Sequence, residues 1–180
     1  PFTAELGGKG PFVVFADADL EAAAQKAAGQ YDDSGQVCLA GTRLLVQASA
    51  REEFQRLFDK FADQHVLGDS HDPATMIHPA HFARVEGFVE RARANGDTIL
   101  RGGRRSELGG DDGLWYEPTL IEPKSNDSEI VQHEVFGPVL TFQTFTDEAD
   151  AIRLANSTPY GLSAIVYTSS QERAERMGRA

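Results

Sequence analysis

The sequence predicts an α/β fold with a mainly parallel open sheet flanked by helices, and three observations carry that prediction. Short apolar runs of strand length alternate with segments of helical period along all 180 residues. Helix start and stop signals fall between them. No internal repeat or low-complexity tract interrupts the alternation. With 41% apolar residues, a chain of this size buries one core, so residues 1–180 read as one domain.

The elements follow in order. Phe12-Val13-Val14-Phe15 is an apolar run suited to a buried strand. Asp17 or Asp19 is placed to cap the Ala-rich helix that follows, through about Gln30. Thr42 to Gln47 reads as the next strand. Ser49-x-x-Glu52 has the form of a capping box, and Phe54, Leu57, Phe58 and Phe61 then recur on one helical face, which assigns them to the core. Pro79 opens a helix with Phe82, Val85, Phe88 and Val89 inward and Asn95-Gly96 as its stop. Thr98 to Arg101 is a strand, and Arg101 to Gly113, with five glycines, a loop or hairpin excursion. Val139 to Phe145 is a strand. Thr146, Asp147 and Glu148 then begin a helix with negative charge at its positive end. Ser163 to Tyr167 is the last strand, and Ser169-x-x-Glu172 caps a final helix.

Seventeen Lys and Arg against 28 Asp and Glu give a net charge of −11, which argues against nucleic acid or an anionic membrane as partner. One cysteine excludes an internal disulfide and suits a reducing compartment. The apolar runs fall far short of the ~18 residues that span a bilayer, and no charged-then-apolar leader opens the chain. The setting is read as cytoplasmic. His78 and His81 are three apart, but Pro79 stands between them and no Cys or His pair completes a zinc set, so no metal is expected. His133, beside Glu134, is of a type that can partner a thiol, but nothing in the sequence places it near Cys38.

Two glycine-rich motifs bear chemistry. Glu5-Leu6-Gly7-Gly8-Lys9 presents a carboxylate, and Gly35-Gln36-Val37-Cys38 presents the one thiol. A thiol attacks a carbonyl to form a thioester, and a carboxylate activates the water that hydrolyses it. Glycine beside each lets a main chain or a flat cofactor approach closely. Taken singly, each has a plainer reading: a small buried hydrophobe for the cysteine, a strand-closing turn for the other. The first is no phosphate loop, since the Gly-x4-Gly-Lys-Ser/Thr spacing is absent, and Lys9 reads as a solvated or sheet-edge charge. A third motif, Glu134-Val135-Phe136-Gly137-Pro138, offers an acceptor for sugar hydroxyls and a ring to pack on a cofactor.

In this order the three motifs resemble the aldehyde dehydrogenase superfamily. Phe15-Ala16-Asp17-Ala18-Asp19-Leu20 and Asn156-Ser157-Thr158-Pro159-Tyr160-Gly161-Leu162-Ser163-Ala164 extend the resemblance over essentially the whole chain. It looks closest to the semialdehyde and betaine-aldehyde types. The resemblance implies a catalytic domain without the nucleotide-binding part that precedes it in relatives and without their C-terminal tail. It implies a homo-oligomer in the full-length protein, NAD or NADP as cofactor, and a small-molecule aldehyde as substrate. Cys38 would be the nucleophile. Its hemithioacetal oxyanion would be held by the Cys38 main-chain N–H and by a side chain from outside these residues. Loss of hydride to the nicotinamide would leave a thioester, and Glu5 would activate water to hydrolyse it. Glu134 would hold the nicotinamide ribose, Phe136 would pack beside that sugar, and the carbonyl of Leu6 would receive the carboxamide.

Two stretches depart from the family pattern. Asp32-Asp33-Ser34 puts carboxylates before the thiol, where they would raise its pKa. Asp72 to Pro79 reads as a shortened loop, and the stretch from Glu5 to Cys38 is also slightly short. Relatives that acylate coenzyme A tend to lack the glutamate at position 5, so its presence favours hydrolysis. A coenzyme-A-acylating enzyme, a cofactor-free thiol hydrolase and a non-catalytic fragment are the alternatives.

Overall fold

The computed structural model describes residues 1–65, 67–68, 75–108 and 110–180. After an N-terminal segment outside regular structure come β1 (Pro11–Val14), α1 (Leu20–Ala28), a 3-10 stretch (Gly29–Gly35) and β2 (Arg43–Gln47). Next are α2 (Arg51–Ala62), α3 (Pro79–Asn95), β3 (Thr98–Arg101), β4 (Thr119–Glu122) and α4 (Glu129–Gln132). The described chain closes with β5 (Val139–Phe145), α5 (Glu148–Ala155), β6 (Ile165–Tyr167) and α6 (Gln171–Met177).

The strands form one sheet in the order β3-β4-β5-β2-β1-β6. Among the described strands β3 and β4 pair antiparallel, as the hairpin that the glycine-rich excursion spans, extended by an isolated Arg105–Tyr116 bridge; the other strand pairings are parallel. Register sets Phe12 beside Leu44 and Leu44 beside Phe142. Together with Val14, Val46 and Leu140 they face α1 and α2 in the main core. The alternate residues Val13, Phe15, Leu45 and Phe145 pack against Ala151 and Leu154 of α5 on the opposite side. A third cluster joins Phe82, Val85, Phe88 and Val89 of α3 to Ile121, Val139, Ile130 and Val131. Burial on both faces is why β1 and β2 read as near-continuous apolar runs rather than alternating ones.

Caps explain where the helices begin. Asp19, not Asp17, caps α1 by accepting the Ala22 N–H at 3.0 Å. Asp17 instead accepts from Thr168 and Ser169 and pairs with Arg173. The predicted capping box at Ser49 does not form. A 3-10 turn (Ala48–Ala50) leads straight into α2, whose cap position is Ala50, without a side-chain bond. The last helix is capped by Ser170 rather than Ser169, through the Arg173 N–H. Asp147 caps α5 as its position predicts. Strand β4 and the four-residue α4 lie where the sequence reading assigned nothing. Asp72-Pro73-Ala74 of the shortened loop lie outside the described residues.

Candidate active site

Each motif directly precedes a parallel strand: residues 5–9 enter β1, 35–38 enter β2, and 134–138 enter β5. Parallel pairing therefore carries all three to one edge of the sheet. It is the edge at the amino ends of the strands, whereas open α/β sheets usually bind ligands at the carboxyl ends. The loop before β6 joins them there, where Ser163 Oγ donates to the Leu39 carbonyl at 3.0 Å.

Gly7 and Gly8 are the meeting point. Gly8 N–H donates to Glu134 Oε1 at 2.8 Å. A Cβ added at Gly7 would lie 2.5 Å from Glu134 Oε2, and one added at Gly8 would lie 2.3 Å from the Cys38 carbonyl oxygen. Main chain here approaches a carboxylate on one side and the cysteine's own backbone on the other, which a side chain would prevent. Glu5 and Leu6, immediately upstream, are exposed, and Cys38 is a free, half-buried thiol.

Helix α3 holds the Glu134–Phe136 segment by its carbonyls. Arg84 donates to the carbonyls of Glu134 and Val135, and His81 Nε2–H donates to that of Phe136 at 2.7 Å. His81 and Arg84 are three apart, so both lie on one side of the helix. Phe136 sits at φ 58°, a conformation costly for a residue with a Cβ, and these side chains hold it there. Glu134 N–H adds a bond to the Tyr160 hydroxyl at 3.3 Å.

The cysteine loop is held from the same direction. Asp33, Ser34 and Gly35 all have positive φ, at 55°, 54° and 63°. Gln36 follows, and its side-chain amide bonds to Asp33, Thr75 and Ile77. His78, the next residue but one after Met76, caps α3 with Nδ1 accepting the Ala80 N–H. Gly35 is required where it stands, because a Cβ there would meet the Gly137 carbonyl oxygen at 2.2 Å.

Lys9 overturns its reading as a solvated or sheet-edge charge. It is 1% exposed, and its Nζ has no hydrogen-bond partner among the described residues. Burial, chiefly, lowers its pKa from 10.5 to about 7. The positive charge of Arg43 adds to this, the Glu134 carboxylate opposes it, and Arg84 lowers it further. Arg43, also buried, donates to the carbonyls of Lys9, Leu154 and Ala155, which ties the β1 entry to the end of α5.

The structure thus brings the Glu5-to-Lys9 segment, the cysteine loop and the Glu134-to-Pro138 segment together, with Glu134 and the Cys38 backbone both touching Gly7-Gly8. His133 is exposed, and His78 and His81 serve as a helix cap and a carbonyl donor. Sequence reasoning missed His81, Arg84, Tyr160 and the role of Gln36. For the α3 pair a signal existed in the polar i, i+3 spacing beside the phenylalanine face, where Arg84 also lies over the Phe88 ring.

A thiol-bearing loop, a glycine-rich segment with one carboxylate and a second carboxylate-bearing loop thus meet at one edge of a parallel α/β sheet. The family model described as "Aldehyde dehydrogenase family" matches residues 1–180, and the chain belongs to that family. It is 42% identical over 179 residues to a betaine aldehyde dehydrogenase of Bacillus subtilis, covering 96% of this chain and 36% of that protein. It is 40% identical over 183 residues to an aldehyde dehydrogenase of Alternaria alternata, with 99% and 36% covered. Among solved structures, betaine aldehyde dehydrogenase of Staphylococcus aureus in complex with NAD+ superposes with a TM-score of 0.92 at 39% identity. That match covers 97% of this chain and 36% of the other. The aldehyde dehydrogenase KauB from Pseudomonas aeruginosa gives 0.90 at 38%, with the same coverage. The chain spans a little over a third of the length of these relatives.

Proposed function

We propose that these residues form the thiol-bearing catalytic domain of an NAD(P)-dependent aldehyde dehydrogenase that oxidises an aldehyde or semialdehyde to its carboxylate. The observation that carries this reading is the convergence on Gly7-Gly8, where Glu134 and the Cys38 backbone meet the segment that bears Glu5. The surroundings fit a dinucleotide. Glu134 Oε1 is held by Gly8 N–H, its Oε2 stands beside Gly7, and Gly7 itself is exposed at the mouth of this junction. The NAD-complexed S. aureus relative supports the same cofactor. When bound, it supplies the hydride acceptor.

Cys38 Sγ bonds to the aldehyde carbon while its proton passes to Glu5, directly or through one water. The Cys38 main-chain N–H stabilises the oxyanion. Once the carbon has been oxidised to the thioester and Glu5 has released the first proton to solvent, Glu5 takes a proton from water, whose oxygen bonds to the acyl carbon as the C–S bond breaks, and hands that proton to the leaving sulfur. Carboxylic acid leaves and the thiol is restored. With the cofactor bound, Glu134 would accept from the ribose hydroxyls, Phe136 would pack beside that sugar, and the Leu6 carbonyl would accept from the carboxamide. In the full-length protein we infer a homo-oligomer, and the free thiol suits a cytoplasmic setting.

The test uses the full-length enzyme with NAD or NADP and an aldehyde panel. Cys38→Ser is expected to abolish reduction of the cofactor while leaving its binding intact. Glu5→Gln is expected to give one burst of reduced nicotinamide and then a slow steady state, because the thioester accumulates. Normal turnover in Cys38→Ser overturns the reading. Burst recovery with coenzyme A in place of water moves it to the acyl-transferring type.

A further inference from the structure

Three successive residues, Asp33, Ser34 and Gly35, sit in the left-handed region just before the catalytic motif, and two of them carry a Cβ. Such a run persists only where its surroundings over-determine it. One fastening of this run is the side chain of Gln36. Gln36 Nε2 donates to the Asp33 carbonyl at 3.0 Å, an oxygen that also accepts the Gln36 backbone N–H at 3.2 Å. The same Nε2 donates to the Thr75 carbonyl at 3.1 Å, and Oε1 accepts the Ile77 N–H at 2.9 Å. The amide therefore uses both donors and its acceptor at once.

The far side of this latch is itself anchored. Met76, between the two contacts, is 1% exposed within the α3 cluster, and its N–H donates to the Leu114 carbonyl at 3.0 Å. His78 then caps α3, the helix whose His81 and Arg84 hold Glu134 to Phe136. The segment leading into α3 thus holds the cysteine loop through Gln36, and α3 itself holds the Glu134 loop through His81 and Arg84.

We propose that Gln36 is a positioning residue for Cys38, its amide locking the strained turn to the Thr75–Ile77 segment so that thiol and carboxylate loops keep a fixed separation. The proposal rests on the reading of Cys38 as the nucleophile. Gln36 touches neither substrate nor cofactor in it. Releasing the latch lets residues 33–35 relax, which moves the thiol without changing its chemistry. Misplacement on the order of 1 Å costs about 100-fold in rate.

In the full-length enzyme, Gln36→Leu removes the whole latch. Gln36→Glu keeps the shape and the Ile77 bond but loses both donors and turns a carboxylate oxygen toward the Asp33 and Thr75 carbonyls, so it repels where the amide binds. Three readings are taken on each variant that melts like the parent. The burst rate of nicotinamide reduction is expected to fall about 100-fold in both Gln36→Leu and Gln36→Glu. Cofactor affinity is expected to stay within about 2-fold, because Arg84 and His81 still hold the Glu134 loop. Iodoacetamide should still alkylate Cys38 within a few-fold of the parent rate, since the thiol is displaced rather than disabled. A parent-like burst rate in Gln36→Leu overturns the proposal. So does a joint loss of burst, cofactor binding and native melting in both variants, which would make Gln36 a general determinant of the fold. Cys38→Ser in parallel separates the two ideas: if it turns over normally the nucleophile reading itself fails, whereas an inactive Cys38→Ser beside a normal Gln36→Leu removes only the latch.

Discussion

A lysine amine buried without a hydrogen-bond partner either sheds its proton or holds a charge in a poorly polarisable setting. For Lys9 the result is a pKa near 7, held down by burial and by Arg43. The unfolded chain keeps its proton up to about pH 10.5 while the folded chain releases it near 7. Between those values the unfolded state binds more protons, so this residue makes stability rise with pH through that window. Below pH 7 its cost is fully present, roughly 4–5 kcal/mol. Lys9→Met keeps length and volume without the amine. It is expected to raise the melting temperature most below pH 7, with the gain shrinking toward pH 10. Thermal melts of parent and variant at pH 6, 8 and 10 check this, and a gain independent of pH would show that Lys9 is solvated in the folded state. Nothing in Gly-Gly-Lys-Gly-Pro announces a buried cation. The burial comes from outside the motif: Gly8 to Gly10 are enclosed before β1 begins, with Cys38, Ala40, Leu162 and Ser163 of the neighbouring loops packed against the two glycines.

The segment entering β1 offers a sharper contrast at the scale of one element. Gly7 and Gly8 are chemically identical neighbours, yet a Cβ on each meets a different kind of obstacle. At Gly7 the obstacle is the end of the Glu134 side chain, which can swing aside; at Gly8 it is the Cys38 backbone carbonyl, which cannot. Gly7→Ala is therefore expected to leave the melting temperature within a few degrees but to weaken cofactor binding about 10-fold by displacing Glu134. Gly8→Ala is expected to destabilise by about 1–3 kcal/mol, seen as a lower denaturant midpoint, and to slow alkylation of Cys38 or quicken it by moving its loop. Equal stability losses in the two variants would contradict this packing. The same element shows what the sequence made legible. Strands β1, β2 and β5 were plain in runs such as Phe12-Val13-Val14 and Val139-Leu140, and α3 in Pro79 and its phenylalanine spacing. In a parallel sheet, motifs that precede strands share an edge, so the convergence of the three follows from elements that the sequence shows. Strand β4 was not legible, because Thr119-Leu120-Ile121-Glu122 is four residues between two prolines and gains its place only by pairing with β3 and β5. Gln36, His81 and Arg84 were hidden for another reason: each acts through main-chain carbonyls and amides, which every sequence has.

Across the whole molecule, the core and the candidate site differ in how completely they are enclosed. Phe12, Leu44, Phe54, Phe58 and Phe142 are fully buried between sheet and helices, and cores of this kind support folding on their own. Residues 1–7, by contrast, are exposed, with Leu6 at 62%, and they carry both the carboxylate and the carbonyl that the proposed mechanism uses. Hydride transfer and thioester hydrolysis depend on donors held in a water-excluded site, and losing one oxyanion donor alone costs on the order of 100-fold or more. A chain spanning 36% of its relatives' length is therefore expected to fold while failing as a dehydrogenase by itself. The 180 residues, expressed alone, should give a cooperative thermal transition and a thiol that alkylates. Cys38-dependent cleavage of an activated ester is expected to survive weakly, because it needs only the thiol. Mixed with NAD or NADP and an aldehyde panel, the same sample should show no aldehyde-dependent rise in absorbance of the reduced cofactor. Robust reduction would mean that these residues complete the cofactor site unaided. An absent thermal transition would instead place the missing stability in contacts beyond the three clusters that pack this sheet.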